Sequence, residues 1–221
     1  MTTRSIKTAA ALFGGLLCLF SSTALANTPT VTLHRTMPVH ASPHGRVTGA
    51  VSATTPLTHQ LTVLPIIASK PGWDRVRLPQ RPDGSTGWIS TIGTTLGTTP
   101  WLIRVNRAER KARIYRSGRL QRTYSVVVGR PSLPTPAGTF FVAEVFEDRG
   151  SVSGPYALAT SAYSNALQEF DGGPGQIALH GREGLPEPLG TASSHGCIRF
   201  DNAAIGWLAW HVLQGTLIVI H

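Results

Sequence analysis

Apolar and polar residues alternate in short runs along most of this chain, and Gly, Pro, Asp-Gly or Ser-Gly break the runs every few residues. Period-two patterning with frequent turn residues predicts strands rather than helices. From Val31 to about Ile92 the runs are short. Leu61-Thr-Val-Leu64 and Pro65-Ile-Ile67 read as strand, Ser42-Pro-His-Gly45 and Pro82-Asp-Gly84 as turns. From Trp101 the runs lengthen. Trp101–Asn106, Lys111–Tyr115, Thr123–Val128, Thr139–Phe146, Gln176–His180 and Thr216–Ile220 each predict a strand, and Arg116-Ser-Gly-Arg119 a turn. Helical spacing occurs near the end, at Ala203, Ala204, Trp207, Leu208 and Val212, with Asp201 as cap and Gly215 as terminator. Thr94–Pro100 has weak propensity and reads as a linker. The expected fold class is mainly β: a small module over 27–93, a linker over 94–100, and a larger β-sandwich or barrel domain with one clear helix over 101–221.

The first 26 residues have a different pattern. Arg4 and Lys7 precede an apolar run that ends in Ala24-Leu25-Ala26, the small-x-small pattern cut by signal peptidases. The apolar core from Ala9 to Phe20 is too short for a membrane span, which needs about 20 residues. Residues 1–26 are therefore expected to be an export signal, and no later segment reaches spanning length. Cys18 would leave with the signal, so Cys197 is the sole cysteine of the mature chain. An unpaired thiol outside the cytoplasm is a liability unless it is buried or used. The mature net charge is 18 − 11 = +7, which suits polyanionic surroundings. Export makes nucleic acid an unsuitable partner. Eight Lys or Arg lie between Arg104 and Arg122 against one acid, Glu109; a solvated strand face explains them most simply.

Within the first module, Trp73, Val76 and Leu78 fit one strand face only if the chain bulges after Trp73, and an Asp83-Gly84 turn then leads to Trp88-Ile89. Two tryptophans across this hairpin are expected to form a small barrel core. The stretch resembles a bacterial SH3-like module, a type found ahead of wall-acting enzymes.

The reactive side chains gather in residues 177–200. Ile177-Ala-Leu-His180-Gly181 is followed by a Gly/Pro-containing loop and then Ser193-Ser-His-Gly-Cys197-Ile-Arg-Phe200. A thiol becomes a nucleophile when a base or cation stabilises its thiolate. His180 and His195 both flank Cys197. Gly196 lets the backbone turn tightly and leaves its N–H uncovered, and the Asp201 helix start follows closely. Nucleophile, base and oxyanion donors are thus available together. His180, His195 and Cys197 as three zinc ligands are a weaker alternative, because residues only two apart would have to converge on one ion.

Ser-His-Gly-Cys-Ile-Arg, with His180-Gly181 upstream, resembles the L,D-transpeptidase (YkuD-type) catalytic domain. Thr135-Pro-Ala-Gly-Thr139, Gly154-Pro-Tyr-Ala-Leu158 and Gly215-Thr216 agree with it, and the resemblance covers about 101–221. It implies Cys197 as nucleophile, His180 as base, and His195 orienting the site or donating to the oxyanion with the N–H groups of Gly196 and Cys197. It further implies Ser194, Arg199 and Gly181 at the substrate side. Ser194 would shape the turn, and Arg199 would hold a stem-peptide carboxylate or else pair with Asp201. The implied reaction is 3→3 cross-linking of donor and acceptor peptidoglycan stem peptides with release of D-Ala, without cofactor or metal, and with carbapenem-type β-lactams as inhibitors. Two alternatives stay open: hydrolysis of the same thioester (an L,D-carboxypeptidase or endopeptidase) and a non-catalytic wall-binding protein.

Overall fold

The computed structural model describes residues 27–170 and 172–221; the predicted leader lies outside them. Seven strands form the N-terminal sheet: β1 (Thr28–Leu33), β2 (Met37–His40), β3 (Val47–Val51), β4 (Val63–Lys70), β5 (Trp73–Arg77), β6 (Thr86–Ser90) and β7 (Thr94–Thr99), in the order β3-β2-β6-β5-β4-β1-β7. The expected linker is therefore a strand. All six residues of β7 pair antiparallel with β1, Thr28 to Thr99 through Leu33 to Thr94. Its weak apolar pattern reflects an edge position, with four of its six residues exposed.

The tryptophan hairpin also differs from expectation. Trp73 to Arg77 pairs with Ser90 to Thr86 in unbroken register. The irregularity falls on β4, where Ile67 sits between the Ile66–Val76 and Ala68–Arg75 pairs. Strict alternation then turns Val76 and buried Asp74 to one face and Trp73 with Arg75 to the other. The core is aliphatic: Val31, Leu33, Met37, Leu64, Val76, Leu78 and Ile89. Trp73 lies outside that cluster against the edges of His40 and His44, and half-buried Trp88 lies under Lys70.

The second sheet has eight strands in the order β10-β9-β8-β17-β12-β13-β14-β16. They are β8 (Trp101–Asn106), β9 (Lys111–Arg116), β10 (Arg119–Ser125), β12 (Gly138–Glu147), β13 (Tyr156–Tyr163), β14 (Gln176–His180), β16 (Ile198–Arg199) and β17 (Leu217–Ile220). Two short strands, β11 (Val128–Gly129) and β15 (Ala192–Ser194), pair parallel beside it. The strand expected over Thr123–Val128 is thus divided between β10 and β11. The helix α1 (Asn202–His211) is capped by Asp201, whose side chain accepts from the Ala204 N–H. It ends on extended Val212 rather than on Gly215, whose N–H binds the Val142 carbonyl. Its buried residues are Ala204, Ile205 and Leu208; Ala203 is exposed.

β12 joins the two units, because its side chains enter two cores. Phe140 and Val142 pack with Leu158, Leu179, Ile198 and α1 on one face of the sheet. Phe141 and Ala143 pack on the opposite face with the N-terminal aliphatics. Polar ties reinforce this contact. Buried Glu144 accepts from the Thr58 N–H and hydroxyl at 2.9 and 3.0 Å, and Arg77 Nη1 donates to the Thr139 carbonyl at 3.2 Å.

Candidate functional site

The register of β14 against β16 positions the reactive side chains. The two strands run parallel, with Leu179 opposite Ile198 and His180 opposite Arg199. Leu179 and Ile198 are fully buried in the core under α1. Alternation sends Ala178, His180, Cys197 and Arg199 to the other face, the one against which the N-terminal unit packs. His180 and Cys197 are diagonal neighbours there, a spacing that side chains can bridge.

His180 is buried, and its Nδ1 lies 2.7 Å from the Gly181 carbonyl oxygen. A carbonyl only accepts, so Nδ1 carries the proton and the lone pair sits on Nε2. Burial pulls the imidazole below the ordinary histidine range; the Gly181 carbonyl opposes this, the Arg199 charge adds to it, and the Asp148 charge and the Ser153 carbonyl oppose it more weakly. Burial pushes the Cys197 thiol up, against the Ala178 N–H and the Arg199 charge. The resting pair is therefore a neutral thiol beside a neutral imidazole. Among the described residues, the sulfur's one hydrogen bond comes from the Ala178 N–H at 3.4 Å. Neither histidine ring hydrogen-bonds it.

Sγ opens into a crevice of about 20 Å³ walled by Ser164, Leu167, Phe170, Gly175, Gln176, Ile177 and His195. That is room for about one water. His195 is half-buried with its ring 5.4 Å from that of Phe170 and lines the crevice with the thiol, whereas His180 is not part of the crevice wall.

The turn before the thiol is fixed by side-chain hydroxyls. Ser194, with no exposed surface, donates to the Cys197 carbonyl at 2.6 Å and accepts from the Gly196 N–H at 3.1 Å. Ser194 therefore shapes the turn, as expected, but from a buried position rather than at the substrate side, and the Gly196 N–H expected at the oxyanion is already engaged. The Cys197 N–H is then the oxyanion donor still in contention. Gly196 itself has φ +122° and lies against Ile177, so a side chain would be strained and crowded. Gly181 faces Asn202 Oδ1, the Ser153 carbonyl and Gly154 at distances that leave no space for a Cβ. Its observed part is packing and the carbonyl that holds His180.

Arg199 pairs with Glu187 at 2.5 Å and not with Asp201, which caps α1. Glu187 comes from the loop after His180, and the guanidinium holds its carboxyl below the usual carboxylate range. Nothing in the sequence singles out this pair, because the two residues lie twelve positions apart and the burial of Arg199 appears only in the fold. Thr135 was also missed. Buried Oγ1 accepts from the Gly129 N–H at 2.8 Å and donates to the Gly196 carbonyl at 2.7 Å, which ties the turn to β11. The Ala178 amide has no sequence signal, since any residue there would supply it.

A family model described as the L,D-transpeptidase catalytic domain (YkuD) matches residues 100–220. A YkuD protein of Bacillus licheniformis, named a candidate L,D-transpeptidase, is 32% identical over 123 residues, 56% of this chain and 67% of that protein. Its Bacillus subtilis counterpart is 28% identical over 124 residues, 56% and 68% of the two chains. An Enterococcus faecium L,D-transpeptidase mutant aligns at 23% identity with TM-score 0.44, over 55% of this chain and 50% of its own. A Mycobacterium tuberculosis L,D-transpeptidase aligns at 13% identity with TM-score 0.48, over 86% and 94%.

Proposed function

Because this chain belongs to the L,D-transpeptidase (YkuD) family, we propose that it forms 3→3 cross-links between peptidoglycan stem peptides through a Cys197 thioester. Cys197 attacks the carbonyl of the third stem residue. His180 Nε2 takes the thiol proton and delivers it to the amine of the departing D-Ala, so one S–H and one C–N bond are exchanged for S–C and N–H bonds. The side-chain amine of a neighbouring stem then attacks the thioester, passes its proton through His180 back to sulfur, and leaves a new amide. The Cys197 N–H, with His195, donates to the oxyanion.

The observation that carries this reading is the diagonal placement of His180 and Cys197 on adjacent strands, with Nδ1 occupied by the Gly181 carbonyl so that Nε2 holds the lone pair. The neutral resting pair suits a base that accepts the thiol proton as sulfur attacks. Arg199, neutralised by Glu187, acts by holding the loop rather than by anchoring a stem carboxylate. A carbapenem would acylate Cys197 as the donor does. The substrate places the protein outside the cytoplasm, in keeping with the expected leader, and no helix of the described residues is long and apolar enough to cross a membrane. The N-terminal unit, with its SH3-like hairpin sequence, accompanies the catalytic domain to the wall.

Incubation of the purified protein with disaccharide-tetrapeptide, followed by mass analysis, tests the reading. A cross-linked dimer lighter by one D-Ala supports it. Tripeptide alone identifies a hydrolase, and unchanged substrate identifies a wall-binding protein.

A further inference from the structure

The crevice above Cys197 is walled by two segments, 163–170 and 172–176, whose backbone is held from outside the catalytic domain. Arg81, on the β5–β6 turn of the N-terminal unit, donates from Nη2 to the Leu167 carbonyl at 3.2 Å and to the Pro174 carbonyl at 3.1 Å. Its guanidinium lies 5.0 Å from the centre of the Tyr163 ring. Asp83 Oδ1 accepts from the Tyr163 N–H at 2.9 Å, and the Tyr163 hydroxyl donates to the Pro79 carbonyl at 3.1 Å. One turn of the N-terminal unit thus grips the start, the middle and the return of the crevice wall. Ser164, Leu167 and Gly175, between those grips, line the crevice itself.

From this geometry we infer that Arg81 is a positioning residue of the active site and that the N-terminal unit completes the donor crevice in cis. Both carbonyl bonds come from Nη2, and the flat guanidinium also lies over the Tyr163 ring, a combination that a lysine ammonium would reproduce less well. The crevice has room for only about one water, so a stem peptide must displace Leu167 and Phe170. Arg81 sets how readily those segments move and how firmly they close on bound peptide. The idea rests on the reading of Cys197 as the reacting thiol, but half of its test needs no transpeptidation.

The test compares Arg81→Ala, Arg81→Lys and Arg75→Ala with the unsubstituted chain. Arg75 is the control, because its side chain binds only Thr86 within the N-terminal unit. The rate of Cys197 alkylation by iodoacetamide is read by mass, and donor KM and kcat from D-Ala release. Arg81→Ala is expected to alkylate about tenfold faster, since thiol access follows the opening of its wall. Its donor KM should rise about tenfold with kcat within about twofold. Arg81→Lys should fall between, which keeps the test readable if the alanine chain folds poorly. Unchanged alkylation and KM in both Arg81 variants, or an equal response in Arg75→Ala, overturns the inference. Faster alkylation in a chain that never cross-links tetrapeptide would refute the proposed function and leave this inference standing.

Discussion

Replacing Thr135 by valine keeps the shape of the side chain and removes two hydrogen bonds at once. The hydroxyl sits between the Gly129 N–H and the Gly196 carbonyl, all three residues being buried, at 2.8 and 2.7 Å. Water has no ready access to either orphaned group, so each costs about 1–3 kcal/mol. The variant should lose about 2–6 kcal/mol, and for a chain of this length each kcal/mol lowers Tm by roughly 2–4 °C, giving a drop of roughly 4–24 °C. Gly196 directly precedes Cys197, the proposed nucleophile, so the released carbonyl also lets Cys197 drift. A displacement of order 1 Å at a reacting atom can cost about 10²-fold in rate. Thr135→Ser is the matched comparison, because it keeps both hydrogen bonds and loses one methyl, about 1 kcal/mol. Urea titration should show a lower midpoint with an unchanged slope for the valine variant. If valine comes within about 0.5 kcal/mol of the native chain, the hydroxyl bridge is not what holds the turn.

Cys197→Ser should lose at least about 10³ in acyl-transfer rate, and His180→Ala a factor of roughly 10²–10⁴; His195→Ala proving the more damaging histidine change would reverse the assignment of the base. Glu187→Gln leaves the Arg199 cation buried without its counter-charge and should cost about 1–3 kcal/mol, less than a fully buried pair because Glu187 keeps some solvent contact. Since the folded Glu187 carboxyl titrates below its unfolded value, the native pair stabilises above pH ~4.3 and fades as pH falls through the folded value, a slope that thermal melts of the Gln variant should lack. His180 is also held below its unfolded value, so the unfolded chain binds the extra proton first. Stability should decline as pH drops below about 6.5, and melts of His180→Gln should show less of that decline.

The strands that were legible in advance are those with strong apolar contrast. β8, β9, β12, β14 and β17 each place an Ile, Val, Leu or Phe at alternate buried positions, and their bounds fell within a few residues of expectation. β13 was not read as a strand, although it lies between β12 and β14, because Ala, Ser and Thr supply little contrast when both faces are covered. β7 failed for the opposite reason, since an exposed edge strand has nothing to bury. At the site, the gathering of His180, His195 and Cys197 was legible from residue type and spacing. Contacts made by backbone atoms were not: the Ala178 N–H on sulfur, the Gly181 carbonyl on His180 and the loss of the Gly196 N–H to Ser194 depend on where the chain turns. Burial, which the motif does not encode, directs Ser194 and Arg199 inward, so of the two roles expected of each the structural one fits: turn shaping for Ser194 and an ion pair for Arg199, with Glu187 in place of Asp201.

The charges around the thiol follow from the same burial. Arg199 lies on the face shared by Cys197 and His180, and its charge lowers both, favouring thiolate and disfavouring imidazolium. Proton transfer from sulfur to imidazole creates both ions at once, so an unpaired guanidinium would help one product and oppose the other. Pairing with Glu187 reduces the net charge felt by the couple and leaves the transfer governed by the distance and alignment of the two side chains. The Arg199–Glu187 pair also ties the loop after His180 to β16, so the element that neutralises the local field also holds the base and the nucleophile in register. Charge balance and geometry at this site are therefore coupled through a single ion pair, and a change at Glu187 is expected to disturb the two together.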